Sequence, residues 1–150
     1  MDRTARQLMD QDGLTVEPDL PLTTLGRLLV EKHQDGACVV HDGKLLGVVT
    51  AMDLIFQDKR PHLPAFITFM EAVIPLERPS RTEAELRKMA ASTVVGVMTA
   101  DVATVAPATP GEDVAELMVR RRISVVPVMD NGVFIGAVTR ASMLRAHVEA

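Results

Sequence analysis

Residues 43–53 read Gly-Lys-Leu-Leu-Gly-Val-Val-Thr-Ala-Met-Asp, and residues 132–142 read Gly-Val-Phe-Ile-Gly-Ala-Val-Thr-Arg-Ala-Ser. The two stretches belong to a longer internal repeat, in which residues 8–56 align with residues 97–145 without a gap and 13 of the 49 positions are identical. This similarity exceeds what unrelated sequences share, so it indicates a duplicated unit. A unit of about 50 residues buries little core alone. We therefore expect the two copies to pack together into one globule.

Each copy has the same local pattern. Thr-Val-x-Pro begins it with a short extended segment, because the residue before a proline avoids the helical region. A helix follows Pro21 or Pro110, since proline is tolerated in a first helical turn. Two apolar strands joined by an Asx-Gly turn come next, and Thr50 or Thr139 then starts a closing helix as its N-cap. The pattern predicts an α/β (α+β) fold with the order β-α-β-β-α in each copy.

Composition narrows the class of protein. The 150 residues carry a formal net charge of −4, which argues against a nucleic-acid partner. No apolar stretch is long enough to cross a membrane, and the charged beginning is not a signal peptide, so we predict a cytoplasmic protein. Cys38 is the single cysteine, which excludes a disulfide within the chain and a cysteine-based zinc site. We expect it to behave as a small buried hydrophobe.

The sequence contains no recognisable metal-binding or catalytic motif. The four histidines show no metal-ligand spacing, and no phosphate loop or nucleophile elbow is present. We therefore predict no catalytic residues, no metal site and no enzyme activity.

The paired strands and the Gly-x-x-Thr-x-x-Asp/Ser segments resemble a CBS domain, and their duplication resembles a tandem pair, or Bateman module. The resemblance implies one module over 1–150, with CBS motif 1 at 8–56, a helical insert at 57–95 and CBS motif 2 at 97–145. It also implies a regulatory, non-catalytic protein that binds adenosine-containing ligands in two clefts between the copies and dimerises into a flat disk.

The residues of the first copy fit such a ligand independently. Thr50 and Asp53 lie three residues apart at a predicted helix start, which places them on one face of the first turn. A carboxylate accepts hydrogen bonds from ribose hydroxyls, Gly47 would let a ligand approach the backbone, and a helix N-terminus favours phosphate. Alternatively, Thr50 only caps its helix and Asp53 only suits the helix dipole.

The resemblance assigns further residues to the two clefts. The first would use Thr50 and Asp53 with Ala103, Ile123 and Ser124. The second would use Thr139 and Ser142 with Leu14, Gln34 and Asp35. Gly136 repeats Gly47, and Pro127 fits the family pattern where Cys38 departs from it. Because Ser142 is a weaker acceptor than a carboxylate and Asp35 would repel phosphate, we expect the first cleft to dominate.

Two features have two interpretations each. The run Arg120–Arg122 is either a phosphate clamp near the cleft or a solvated helix end. In the insert, the apolar stretch Leu63–Ile74 predicts a helix, and Ser80–Glu83 has the form of a capping box. The following helix would place Leu86, Met89, Ala90, Thr93 and Val97 on one face. These helices either cover the core of their own chain or face another subunit.

The predicted function is therefore that of a module sensing adenosine nucleotides (AMP, ADP or ATP, with S-adenosylmethionine or NAD as further candidates). It requires no cofactor and acts through a homodimer and an unidentified effector protein. The alternatives are a structural dimerisation module with empty, degenerate clefts and, third, an enzyme fragment. The sequence does not name the ligand.

Overall fold

The computed structural model describes residues 2–10, 13–56, 84, 88 and 91–149. The order β-α-β-β-α predicted for each repeat is confirmed in the first repeat, and the first strand of the second repeat is reduced to one bridge. In chain order the elements are α1 (Ala5–Leu8), β1 (Thr15–Val16), α2 (Leu22–Lys32), β2 (Gly36–His41), β3 (Lys44–Thr50), α3 (Ala51–Ile55), α4 (Val94–Val97), α5 (Gly111–Arg121), β4 (Val125–Asp130), β5 (Val133–Thr139) and α6 (Arg140–Val148).

Each repeat forms its own small sheet. In the first, β2 pairs in parallel with β1 and antiparallel with β3. In the second, β4 pairs antiparallel with β5, and Val105 forms a parallel bridge to Val128. The predicted Asx-Gly turns are confirmed, since both turn residues have positive φ, with 50° at Asp42 and 75° at Gly43. Two positive φ values suit a hairpin whose twist matches its strands.

The long helices α2 and α5 begin and end in the same way. Pro21 and Pro110 have extended backbones and stand at the N-cap, not inside the first helical turn as predicted. The carbonyl of each accepts the first helical bond, from Leu25 N and Val114 N respectively. Each helix then stops at a left-handed residue, so the chain turns sharply into the central strand of its sheet.

The short helices α1 and α4 are exchanged between the repeats. In α1, Ala5 N donates to Thr109 O at 2.8 Å, in the second repeat. In α4, Val94 N donates to Leu20 O at 3.0 Å, in the first repeat. The two bonds are equivalent, because their donors and their acceptors are each separated by the 89 residues of the sequence repeat. The structural repeat therefore begins at residues 5 and 94, earlier than the sequence match.

One prediction for the insert is wrong where the structure describes it. Thr93 is extended (φ −124°, ψ 161°), forms a bridge to Pro21 and is the N-cap of α4. Thr93 and Val97 therefore do not continue one helix face with the positions before them. The predicted helix Leu63–Ile74, the capping box Ser80–Glu83 and the positions Leu86, Met89 and Ala90 lie outside the described residues.

Three apolar clusters form the core of the described part of the chain. One lies within each repeat, between its sheet and its helices, and α4 or α1 contributes Val94 or Ala5 to it. The third joins the two sheets through Cys38, Val48, Val125 and Ala137. Cys38 is the buried small hydrophobe that the sequence predicted, and burial raises the pKa of its thiol to about 12. None of the helices in the described ranges is long and apolar enough to span a membrane.

We expect the melting temperature to fall as pH rises from about 6 to about 8, because of His41. Its Nδ1 lies 2.8 Å from Glu17 Oε2, and this hydrogen bond raises the pKa of His41, with the charges of Asp42, Glu17 and Asp19 adding to the effect. A pKa raised by folding stabilises the native state below the unfolded pKa, and that stabilisation disappears as pH passes the raised pKa.

Thermal melts across this pH range, for the parent chain and for Glu17→Gln, test this expectation. The variant should show a smaller fall, since its amide carries no charge. Equal slopes for the two proteins would contradict it.

Candidate ligand-binding site

A cavity of about 530 Å³ opens between the two repeats, within the range of small-molecule sites. Its walls come from the end of β3 and from α3 in the first repeat. In the second repeat they come from Thr99, residues 101–103 and 121–125, and the start of α6. The structure brings together at this cavity all five residues predicted for the first cleft: Thr50, Asp53, Ala103, Ile123 and Ser124.

Thr50 and Asp53 form a reciprocal cap at the start of α3. Thr50 N donates to Asp53 Oδ2 at 2.8 Å, and Thr50 Oγ1 donates to the same oxygen at 3.1 Å. Asp53 N donates in turn to Thr50 Oγ1 at 3.4 Å. The capping interpretation is therefore correct, and it is compatible with ligand binding. Since these bonds use Oδ2, the cap fixes the carboxylate at the cavity wall and leaves Oδ1 as an acceptor for a ligand.

Asp35 lines this first cavity, although the sequence placed it in the second cleft. It lies just before β2, where its carbonyl oxygen accepts a hydrogen bond from Ala51 N at 2.8 Å. The equivalent bond in the second repeat runs from Arg140 N to Ser124 O at 3.0 Å. Asp35 of the first repeat therefore lies close to Arg140 of the second. Asp35 Oδ2 lies 3.6 Å from Arg140 Nη1, so its charge is compensated by a cation of the other repeat. The expected repulsion of phosphate by Asp35 is correspondingly reduced.

The corresponding polar pair of the second repeat is closed. Thr139 and Ser142 are both buried, and Thr139 N donates to Ser142 Oγ at 2.9 Å. Ser142 Oγ donates its single proton to Thr139 O at 3.0 Å, and Ser142 N donates to Thr139 Oγ1 at 3.0 Å. A hydroxyl engaged in this way has no proton left for a ligand.

Among the described residues, a small cavity of about 150 Å³ adjoins Ser142. Asp10 and Arg145 line it and form an ion pair at 3.3 Å. Leu14 and Gln34 line neither of the two cavities. Their backbones serve the fold instead, with Leu14 O accepting from Cys38 N and Gln34 N donating to Leu29 O.

Gly47, Gly136 and Pro127 line neither of these two cavities. A Cβ at Gly47 would collide with Thr99 O, because Thr99 pairs with the neighbouring Val48 through two 2.9 Å backbone bonds. A Cβ at Gly136 would lie 2.8 Å from Met9 Sδ. In this structure the close approach that these glycines permit is by the chain itself, and the ligand contact expected at Gly47 stays a prediction.

The sequence predicted part of the charged lining through the run Arg120–Arg122, but it did not predict Arg140 or Asp101. Arg121, Arg122, Arg140 and Asp101 all line the cavity. Within the arginine run, Arg120 pairs with Glu116 at 3.1 Å on the exposed face of α5, as a solvated helix end predicts. Arg121 and Arg122 border the cavity, and the phosphate clamp stays a prediction. The position of the run, directly before Ile123, was the available signal.

Comparisons with known proteins bear on this arrangement. The family model of the CBS domain matches residues 5–59 and 94–149. The chain belongs to the CBS domain family. Two matched segments, each containing one structural repeat, make it a tandem CBS pair.

Individual relatives and solved structures match most of the chain. An uncharacterized protein of Methanocaldococcus jannaschii, MJ1426, is 31% identical over an alignment of 144 residues, and the match covers 89% of this chain and 84% of that protein. The solved structure of CBSX2 in complex with AMP is 26% identical with a TM-score of 0.70, covering 98% of this chain and 97% of the other. CBSX2 from Arabidopsis thaliana also matches, at 27% identity and a TM-score of 0.65, covering 99% and 96%.

The CBS pair of MJ0100, in complex with 5′-methylthioadenosine and S-adenosyl-L-methionine, has a TM-score of 0.67. It is 19% identical, with coverage of 99% of this chain and 98% of the other, and it supports the fold alone.

We expect Ser142→Ala to lower the free energy of unfolding by about 1–2 kcal/mol, because it removes a cap and leaves the buried Thr139 N–H without its acceptor. Urea titration measures this. Ser124→Ala is the matched control, since Ser124 lines the cavity and is only half-buried. Equal stability of the two variants would contradict the closed arrangement around Ser142.

Proposed function

We propose that this tandem CBS pair is a regulatory module that binds an adenosine nucleotide of the AMP, ADP or ATP class in the first cleft. The observation that carries the proposal is the convergence of five residues, predicted from the sequence, on one cavity in which a capping box holds Asp53. The AMP complex of CBSX2, a relative with the same fold, supports the ligand class.

Binding would use the two walls differently. Asp53 accepts hydrogen bonds from ribose hydroxyls, and such bonds to a charged acceptor are stronger than neutral ones. Ala103, Ile123 and Ser124 contact the base from the second repeat. Because the walls belong to different repeats, a bound nucleotide connects them. It shifts the conformation only to the extent that it binds one arrangement more tightly than another.

The proposed role is regulatory and not catalytic, as is general for CBS pairs. In the described ranges, no group of three His, Cys, Asp or Glu side chains could hold a metal ion. We propose that the module needs no cofactor, works in the cytoplasm and acts through an effector protein.

Asp53→Asn is the direct test, because the amide oxygen retains an acceptor for the Thr50 cap while the charge is removed. We expect affinity for AMP to fall by about tenfold, the equivalent of about 1.4 kcal/mol. Titration calorimetry measures it, with Ser142→Ala as the control that should bind AMP like the parent chain. Equal losses in both variants would contradict the assignment of the first cleft.

A carried ligand has a simple signature. The chain has neither Trp nor Tyr, and its four Phe absorb only weakly, so an intense absorbance maximum at about 260 nm in nucleic-acid-free protein would come from a bound nucleobase. No such maximum, together with flat titrations of AMP, ADP and ATP, would favour the structural module instead. The closed polar pair of the second repeat is the observation that favours that alternative.

We also propose that the module forms a homodimer through its long helices. Val30 and Val119 occupy repeat-related positions on α2 and α5 and are 75% and 79% exposed. Ile55 and Leu144, on α3 and α6, are related in the same way and are also exposed. Apolar surface repeated on both halves of the chain is typical of a contact with a partner.

Val119→Glu should therefore shift the dimer towards monomer, because a charge buried in an apolar contact is costly. Light scattering at micromolar concentration measures the mass. Val133→Glu, at an exposed valine of the second hairpin, should leave the mass unchanged. A monomeric parent chain would contradict the homodimer.

A further inference from the structure

The loop between β1 and α2 holds the exchanged helix α4. Val94 N donates to Leu20 O at 3.0 Å, and Val95 N donates to Pro18 O at 2.9 Å. Glu17 begins the same loop, and its carbonyl oxygen accepts a hydrogen bond from Leu20 N at 3.2 Å. The position of α4 therefore depends on the conformation of this loop.

A histidine connects the loop to the central strand of the first sheet. His41 ends β2, and its Nδ1 lies 2.8 Å from Glu17 Oε2. Its Nε2 lies 3.4 Å from Asp42 Oδ2 in the following turn. A protonated imidazole donates from both nitrogens, whereas a neutral one carries a single N–H. Loss of the proton therefore removes one of the two contacts, together with the charge that strengthens the other.

The charged groups around His41 are mostly acidic. The hydrogen bond to Glu17 raises the pKa of His41, burial opposes this rise, and the charges of Asp42, Glu17 and Asp19 add to it. Lys44 is the nearby cation, as the partner of His41 in the ladder between β2 and β3. The contact between loop and strand thus contains a group that changes charge near neutral pH.

The equivalent loop of the second repeat is held without a titratable pair. Ala106 occupies the position of Glu17, and its N–H donates to Thr109 Oγ1 at 3.0 Å. Leu20 occupies the position of Thr109 and has no hydroxyl. A side chain of the loop itself therefore fixes the second loop, whereas the first loop is bonded to the neighbouring strand.

The exchanged helix of the second repeat also has a different contact. Asp130 occupies the position of His41 and pairs with Arg6 of α1 at 3.5 Å. Neither a carboxylate nor a guanidinium changes charge between about pH 6 and about pH 8. Val95 occupies the position of Arg6, and α4 contains no charged residue that could form such a pair. The contacts that hold α4 therefore include a group that titrates in this range, and those that hold α1 do not.

We propose that His41 is a pH-dependent anchor of α4: the protonated imidazole holds the loop to which this helix is bonded, and deprotonation loosens α4 while α1 stays in place. The chain continues from α4 to Thr99 and then to Asp101 and Ala103 at the cavity wall. Opening of α4 would therefore loosen one wall of the cavity. Neither step depends on which ligand the cavity binds.

Hydrogen exchange of backbone amides tests this anchor. Val94 and Val95 report on α4, and their repeat equivalents Ala5 and Arg6 report on α1. A raised pKa stabilises the docked state at low pH, and the effect is lost as pH rises through that pKa. From about pH 6 to about pH 8, protection factors corrected for intrinsic exchange should fall about two- to fivefold at α4, as expected for one exposed contact. The α1 amides should change by less.

Two variants make the test specific. Glu17→Gln removes the charged partner of His41, so the protection of the α4 amides should then change little with pH. Asp130→Asn removes the partner of Arg6 and should lower the protection of the α1 amides by a similar factor at both pH values. The two carboxylate side chains are 60% and 46% exposed, so we expect both variants to fold.

Three results would overturn the proposal. An equal fall at α1 and α4 would show that His41 affects only global unfolding. A fall at α4 that persists in Glu17→Gln would exclude the contact with His41 as its cause. Constant protection of the α4 amides in the parent chain would exclude any pH-dependent anchor. Because no ligand is present in this measurement, a failure of AMP to bind would leave its result unaffected.

Discussion

The exchange of two four-residue helices is the constraint on which the rest of the molecule depends. Helix α1 bonds to the loop before α5, and α4 bonds to the equivalent loop before α2. Each repeat completes its apolar cluster with a side chain from the exchanged helix, Ala5 in one case and Val94 in the other. Neither repeat therefore has a complete core without the segment that precedes the other.

That interlocking fixes where a cavity can form. The segment after α4 continues to Thr99, which pairs with Val48 on β3, and then passes Asp101 and Ala103 along the cavity wall. The same exchange therefore brings the predicted base-contacting position of one repeat against the helix start of the other. In the second repeat, the equivalent pairing of Asp10 with Ala137 places Asp10 beside Arg145, which adds an ion pair where the first cleft has open volume.

Local chemistry made much of this predictable. The Asx-Gly turns, the Thr caps and the alternating apolar strands are set by neighbours in sequence, and the repeat showed each of them twice. The first-cleft residues were found because the family resemblance relates positions that local pattern does not. The helix exchange was missed since four residues show no helical periodicity. Three features depend on contacts that the spacing of residues does not reveal. They are the hydrogen bonds that use up the Ser142 hydroxyl, the position of Asp35 at the first cavity and the packing of Thr99 against Gly47.

The buried Cys38 gives the molecule an internal reporter. It is the only cysteine of the chain, and it lies in the apolar cluster that joins the two sheets. Because burial raises its pKa to about 12, almost no thiolate exists at neutral pH in the closed state. A thiol reagent reacts with it only when the sheets separate, so the labelling rate measures the opening of the two repeats against each other. A ligand that holds the two repeats together would slow the labelling of the Cys38 thiol without touching it.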